Sequence, residues 1–326
     1  MYINLKQLMS VAFLSVIGIS ACGGGGSSST VDTPATIDSD NASKMVEVVA
    51  SVAMGFDEFA GFVDLTESNL LSDVSNPDAL AIATKVGLSR LDGATVKSIL
   101  IQPETALCAV SGSVTVWGHI AAPDSLTAGD AISIDSDMCD DGDDEIADGL
   151  IAMTIVSFQG DIYTSEFLLG VDMIFANFMV TESGETTALN GDIGVTLDMR
   201  TPAMATITVF GDSFTSSGMG KTQSISHFSN TYTADFSELP AARTFKSRGT
   251  VVSSEFVGTV TYQTPVNFEA SGENDPHTGQ LLVTGANNAT LRLIAIDNIN
   301  IQIDADYEGD EIVDETLNMT WAEIEK

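Results

Sequence analysis

Two hydrophobic periods divide the chain. Over residues 42–62, Met45, Val48, Val49, Val52, Phe56, Phe59 and Ala60 recur at spacings of three and four, which predicts a helix with one apolar stripe. Asn41 or Ser43 can cap it, and Glu47, Asp57 and Glu58 fall mostly off the stripe. Asn76-Pro77-Asp78 starts a second helix, over residues 79–91, which stops at Asp92-Gly93. Residues 42–104 therefore read as a helical preface. From about Ala106 the period becomes two. Ser113-Val114-Thr115-Val116-Trp117 alternates, and residues 191–199, 204–210, 249–262 and 279–284 read as strands bounded by Gly, Asn, Asp or Ser. Residues 291–296, then Asp297-Asn298, then residues 299–303 predict a hairpin with a two-residue turn. Alternation means one buried face and one wet face, and short connections make the strands antiparallel. The predicted fold class is mainly β: an antiparallel meander forming a curved sheet or sandwich over residues 105–326, with a short N-terminal pair of helices.

The first residues follow neither period. Lys6 and the apolar residues 8–19, broken by Ser10 and Ser15, have the parts of an export signal. The run is shorter than the about 20 residues that a membrane-spanning helix needs. It ends in Ile19-Ser20-Ala21-Cys22, followed at once by Gly23-Gly24-Gly25-Gly26-Ser27-Ser28-Ser29-Thr30. An aliphatic residue, two small residues and a cysteine resemble the lipobox of bacterial lipoproteins. The resemblance implies that residues 1–21 are a signal peptide and that Cys22 is acylated as the mature N-terminus. Two acyl chains suffice for stable anchoring. Gly23 in place of Asp implies the outer membrane, facing the periplasm by default, with surface exposure open. Residues 22–41 are low in apolar content and read as a flexible Gly/Ser tether. The chain is also similar in general look to acidic, β-rich lipoproteins of marine proteobacteria, which adds a class and no mechanism.

Charge narrows the partners. With 12 Lys+Arg against 46 Asp+Glu the formal net charge is −34. Such a surface argues against nucleic acid and against adsorption to anionic lipid, and suits a cationic partner or a saline medium that screens self-repulsion. Arg243, Lys246 and Arg248 form a basic cluster, expected to pair with the acidic surface. Of three cysteines, Cys22 goes to lipid under the lipobox reading. Cys108 and Cys139 remain, an even number in an oxidising compartment, and a disulfide is predicted. Two free buried thiols are the rival reading.

Two acidic stretches carry the strongest chemical signal. In residues 304–315, oxygen ligands stand at loop positions 1, 3, 5 and 7 (Asp304, Asp306, Glu308, Asp310), with Gly309 at 6 and Glu315 at 12. That is the spacing of an EF-hand-type Ca²⁺ loop. Glu311 replaces the usual apolar residue at position 8, and a predicted strand precedes the loop, so a calcium loop in a β-hairpin is expected. Residues 134–148 echo it, with Asp135, Asp137, Asp141 and Asp143 as weaker ligands and Cys139 within. The bland alternative for both is a solvated acidic turn. Ca²⁺ is the one cofactor the sequence suggests.

His119, His227 and His277 lack metal spacing, and no nucleophile elbow, zinc-protease, P-loop or dinucleotide pattern occurs. The expectation is a non-enzymatic, lipid-anchored protein with a binding or envelope-structural role and an undefined protein or ligand partner. One rival is a carrier of lipid or another apolar ligand in a curved-sheet cavity, as in lipoprotein-carrier folds. Another is a surface polymer hydrolase with paired carboxylates.

Overall fold

The structure, a computed structural model, describes residues 33–54, 99–121, 126–142, 145–161, 166–237, 239–272 and 274–324. Among these residues, alternating sequence and short turns produce one sheet of fourteen antiparallel strands in sequence order. Its first half is β1 (Ile99–Leu107), β2 (Ser111–Ile120), β3 (Ala131–Asp140), β4 (Glu145–Asp161), β5 (Glu166–Glu182), β6 (Glu185–Asp198) and β7 (Met204–Gly218). Its second half is β8 (Lys221–Asp235), β9 (Ala242–Ser253), β10 (Thr259–Ser271), β11 (Thr278–Thr284), β12 (Thr290–Ala295), β13 (Asn300–Asp306) and β14 (Glu315–Thr320). The mainly β, antiparallel meander expected from the sequence is the architecture found.

A single helix among the early described residues, α1 (Ala42–Met54), covers part of the inner face against β9, β11 and β12. Met45, Val46, Val49 and Ala50 are fully enclosed, so the apolar stripe is wide. The C-terminal turn α2 (Trp321–Ile324) packs against the same helix. One contiguous core joins α1 and α2 to inward residues from Val114 on β2 to Ala305 on β13. The outer face carries cross-strand hydroxyl pairs such as Thr206–Thr233 and Thr208–Thr231, both 3.2 Å.

The helix start differs from the sequence reading. Asp38, not Asn41 or Ser43, caps it. Its Oδ1 accepts the N–H groups of Asp40 (3.0 Å) and Asn41 (3.1 Å), while Asn41 Oδ1 accepts the Asp38 N–H (3.1 Å). This is a reciprocal capping box with Asn at its third position. The tether boundary also moves. Pro34 bridges Thr259, the Ala35 N–H donates to Thr259 O (2.8 Å), and the Ala286 N–H donates to Ala35 O (2.7 Å). Ala35 and Ile37 are buried, so residues 33–37 belong to the folded unit. The remainder of the first predicted helix, the whole second helix and Cys22 lie outside the described residues.

Three strand assignments are corrected. Among the described residues the sheet already runs from Ile99, not from near Ala106, because Pro103 sits at a register slip of an edge strand, where a missing N–H is tolerated. Residues 249–262 contain a turn between β9 and β10 and are not one strand. The β12–β13 turn is longer by one residue than the predicted Asp297-Asn298. Leu291, Leu293 and Ala295 pair with Ala305, Ile303 and Ile301, and the Ile296 N–H closes on Asn300 O at 3.0 Å. A two-residue turn would set these inward positions against outward ones, so burial selects the register. Asp297 fills the longer turn by accepting the N–H groups of Ile299 (2.8 Å) and Asn300 (2.7 Å).

A row of β-bulges crosses the sheet. Register slips lie between Ser136 and Cys139, Asp148 and Leu150, Phe175 and Phe178, Gly191 and Gly194, and Ser226 and Ser229. Met138, Asn177 and His227 take positive φ there. Asx side chains collect the N–H groups freed from the ladder. Met138 N–H donates to Asp148 Oδ1 (3.2 Å), Asn177 N–H to Asn190 Oδ1 (2.7 Å) and Asp212 N–H to Asp192 Oδ2 (3.0 Å). Gly149 (φ 99°) and Gly191 (φ 119°) are required here, since a Cβ would collide with the carbonyls of Asn177 and Ser213. Bulges bend strands and increase twist, so the row bends these strands in register and gives the sheet its curvature.

Candidate functional site

Cys108, just past β1, is joined to Cys139 on β3 in a disulfide with a Cα–Cα separation of 5.5 Å. It spans 31 residues and staples the β1–β2 turn to the third strand. The turn is closed further by Asp141, whose Oδ1 accepts the Ala109 N–H (2.9 Å), and by the Val110 N–H donating to Asp140 O (2.9 Å). The acidic stretch around Cys139 is largely strand, not loop. Ile134 and Ser136 point inward, which puts Asp135 and Asp137 outward along β3. Asp143 lies outside the described residues. Among the described residues, the one trio of metal-ligating atoms within 4.8 Å of one another is Cys108, Cys139 and Asp141. The disulfide already consumes both sulfurs.

The C-terminal acidic segment is a β13–β14 hairpin. Asp304 pairs with Thr316 on the outer face, and its Oδ1 accepts from Gln302 Nε2 (2.7 Å) and Thr316 Oγ1 (2.9 Å). Glu315 pairs with the inward Ala305 and its Oε2 accepts the Tyr307 hydroxyl at 2.6 Å. Positions 1 and 12 of the calcium-loop spacing thus face opposite sides of the sheet, because a strand alternates with period two. Burial and the neighbouring Glu315, Asp314 and Asp38 charges all push the Tyr307 phenol upward, so it stays a donor. Glu308 and Asp310 are exposed, and Asp310 Oδ1 accepts the Ile312 N–H (3.0 Å).

Asp306 organises this turn. It is 7 % exposed, and its carboxylate accepts the N–H groups of Gly309 (2.6 Å), Glu311 (2.8 Å) and Asp310 (3.3 Å). Desolvation pushes its pKa up, and the backbone donors of Glu311, Gly309, Asp310 and Glu308 together outweigh that and hold it below the usual carboxylate range. Because the folded value is depressed, its contribution to stability is present above the unfolded value of about 3.9 and is lost as pH falls through the folded value. Asp306→Ala is expected to speed amide exchange at Gly309, Asp310 and Glu311 by about tenfold or more while the sheet interior keeps its protection. Unchanged exchange at those three amides would show that the turn closes without this carboxylate.

A second charged group fastens α1 to the sheet. Glu255 Oε1 lies 3.3 Å from Lys44 Nζ and 3.0 Å from Lys221 Nζ, and Lys44 also pairs with Glu47 at 2.7 Å. Burial lowers the Lys44 pKa, and the hydrogen bonds and charges of Glu47 and Glu255 more than offset this, leaving it raised. This triad is not legible from the chain alone, since its members are remote along it. The basic cluster is divided by strand alternation: Lys246 and Arg248 point outward from β9, and Arg243 lies on the other face, where its Nη2 donates to Asn274 O (2.9 Å).

Where the end of α1 meets β7–β9, a cavity of about 20 Å³ is lined by Ala53, Met54, Ile207, Val209, Asn230 and Phe245, among others. That is room for about one water molecule, not for an acyl chain. No helix among the described residues is long and apolar enough to cross a membrane. The fold and its staple define a class: an acidic, disulfide-closed antiparallel meander sheet packed on a helix. In comparison with known proteins, the chain matches no family model, no curated protein and no solved structure.

Proposed function

We propose that the chain is an exported, lipid-anchored envelope protein whose β domain has a non-catalytic binding or structural role. The Cys108–Cys139 disulfide carries this reading, because structural disulfides belong to oxidising compartments. It also leaves Cys22 as the one cysteine without a thiol partner, in the Ile19-Ser20-Ala21-Cys22 context that resembles a lipobox. The inner face buries its apolar residues on α1 and the core, and the outward face shows carboxylates and hydroxyls to water. The acidic side chains of the C-terminal turn accept hydrogen bonds from their own turn, as structural groups do.

The test is metabolic labelling with radioactive palmitate in a two-membraned bacterium, followed by fractionation. The wild-type chain is expected to carry label and to sediment with outer membrane, and Cys22→Ser is expected to lose both. An unlabelled wild-type chain would overturn the proposal. Calcium belongs to this reading in one form: the ion would take the Asp306 carboxylate from the backbone donors of residues 309–311. The amides that report Asp306→Ala also report this exchange at millimolar CaCl₂.

A further inference from the structure

On the inner face of β8–β10, three neighbouring positions hold buried polar side chains whose hydrogen-bonding atoms are unmet. Asn230 on β8 and Ser247 on β9 are direct cross-strand partners, 6 % and 4 % exposed. Tyr262 on β10, 2 % exposed, leans over Gly249, two residues along β9 from Ser247. A Cβ on Gly249 would lie 2.9 Å from the Tyr262 hydroxyl, so the missing side chain leaves space for the phenol. Asn230 Oδ1, Asn230 Nδ2, Ser247 Oγ and Tyr262 OH are all enclosed and have no hydrogen-bond partner among the described residues. Folded domains leave few such groups unmet, and four on one patch require an explanation.

The cavity beside α1 supplies one. Asn230 lines it together with Ile207, Val209, Phe245, Lys246 and the end of α1, and Ser247 and Tyr262 stand behind this wall, Ser247 directly across the strand pair from Asn230. Its volume of about 20 Å³ exceeds the roughly 10–15 Å³ that one water requires. Asn offers two donors and an acceptor oxygen, and serine and tyrosine hydroxyls each donate and accept, which is the two-to-four-partner environment that retains a buried water. We propose that Asn230, Ser247 and Tyr262 form an internal hydration site, holding an ordered water at the junction of helix and sheet. The ligand is water-sized because the pocket is, and it is polar because Asn230, which lines the pocket, has both amide atoms unmet. The water is then part of how α1 seats on β8 and β9.

A dry site and a hydrated site predict opposite signs. If the polar atoms are unpartnered, removing one stabilises the fold; if water bridges them, removing one strands the rest. Ser247→Ala and Tyr262→Phe, each a deletion of a single oxygen, are therefore expected to lower Tm by roughly 2–6 °C. The double variant Asn230→Leu/Ser247→Ala, which makes the pocket apolar, is expected to lose less than the sum of its single changes. Water-to-amide cross-relaxation at the Asn230 side-chain NH₂ in the wild-type protein gives a direct reading. A rise in Tm for Ser247→Ala and Tyr262→Phe, with no water signal at Asn230, would overturn the proposal. Should Asn230→Leu fail to fold, the two conservative variants and the water signal still decide it.

Discussion

Replacing Trp321 by alanine is expected to destabilise the domain by about 3–5 kcal/mol, the range for deleting a large buried aromatic side chain. Trp321 is 1 % exposed and meets Phe268 edge-on with ring centroids 5.9 Å apart, and Phe268 stacks on Phe245 at 5.0 Å. Its indole Nε1–H reaches two carbonyls, Pro276 O at 3.1 Å and Asp297 O at 3.3 Å. Its backbone N–H donates to Ile299 O at 3.0 Å. One residue thus ties the β12–β13 turn, the approach to β11 and the helix-facing core together after the last strand. Trp321→Phe should cost less, since it keeps most of the ring contact and loses the shared N–H. Urea unfolding separates the two: the midpoint falls for both variants, further for alanine, with an unchanged slope. An unshifted midpoint in Trp321→Ala would mean that α2 adds nothing to the fold.

Period two and turn chemistry made the sheet legible, and the same signals misplaced its parts. Gly191 and Gly249 read as strand starts because glycine punctuates strands, yet both lie inside strands of the curved sheet. Asp148-Gly149 and Asn190-Gly191 carry hairpin-turn chemistry and serve as bulges, where the Asx side chain collects an N–H freed from the neighbouring strand. β8 could not be recognised by alternation. Its inward positions include Lys221, Gln223 and Asn230, so polar residues occupy both faces. The groups that make those positions tolerable are remote in sequence: Glu255 for Lys221, and the Val48 carbonyl at 3.4 Å for Gln223.

The acidic loops show the same limit. Carboxylate spacing in residues 304–315 is visible in the sequence, but whether spacing becomes convergence depends on the backbone that carries it. On a loop between helices the positions can turn to one centre. In a hairpin, residues 304 and 315 fall on opposite faces, and Asp306 turns to the backbone. The cysteine pairing was legible for a simpler reason: it followed from counting, once Cys22 was assigned elsewhere.

That pairing carries the second large expected effect. The double variant Cys108→Ala/Cys139→Ala is expected to lose about 3–4 kcal/mol, the loop-closure contribution for a 31-residue loop, and roughly 6–15 °C in Tm. The loss should begin locally. Among the described residues β1 is an edge strand hydrogen-bonded to β2 alone, and Pro103 lies at the register slip between Ile101 and Glu104. Without the staple, the β1–β2 turn is still tied to β3 and its continuation by the hydrogen bonds of Ala109 to Asp141 and Val110 to Asp140 and by the pairing of Ser111 with Asp140. Leu107 and Val110, already 83 % and 65 % exposed, would then flank a fraying edge, which is a template for association between copies. Wild-type protein treated with a reductant should therefore match the double variant in Tm and in its tendency to associate, whereas oxidised wild type should stay monodisperse. Amide exchange should rise first along β1 and β2 and leave β6–β9 protected. A double variant that melts with oxidised wild type would show that the disulfide adds nothing to the stability of this edge.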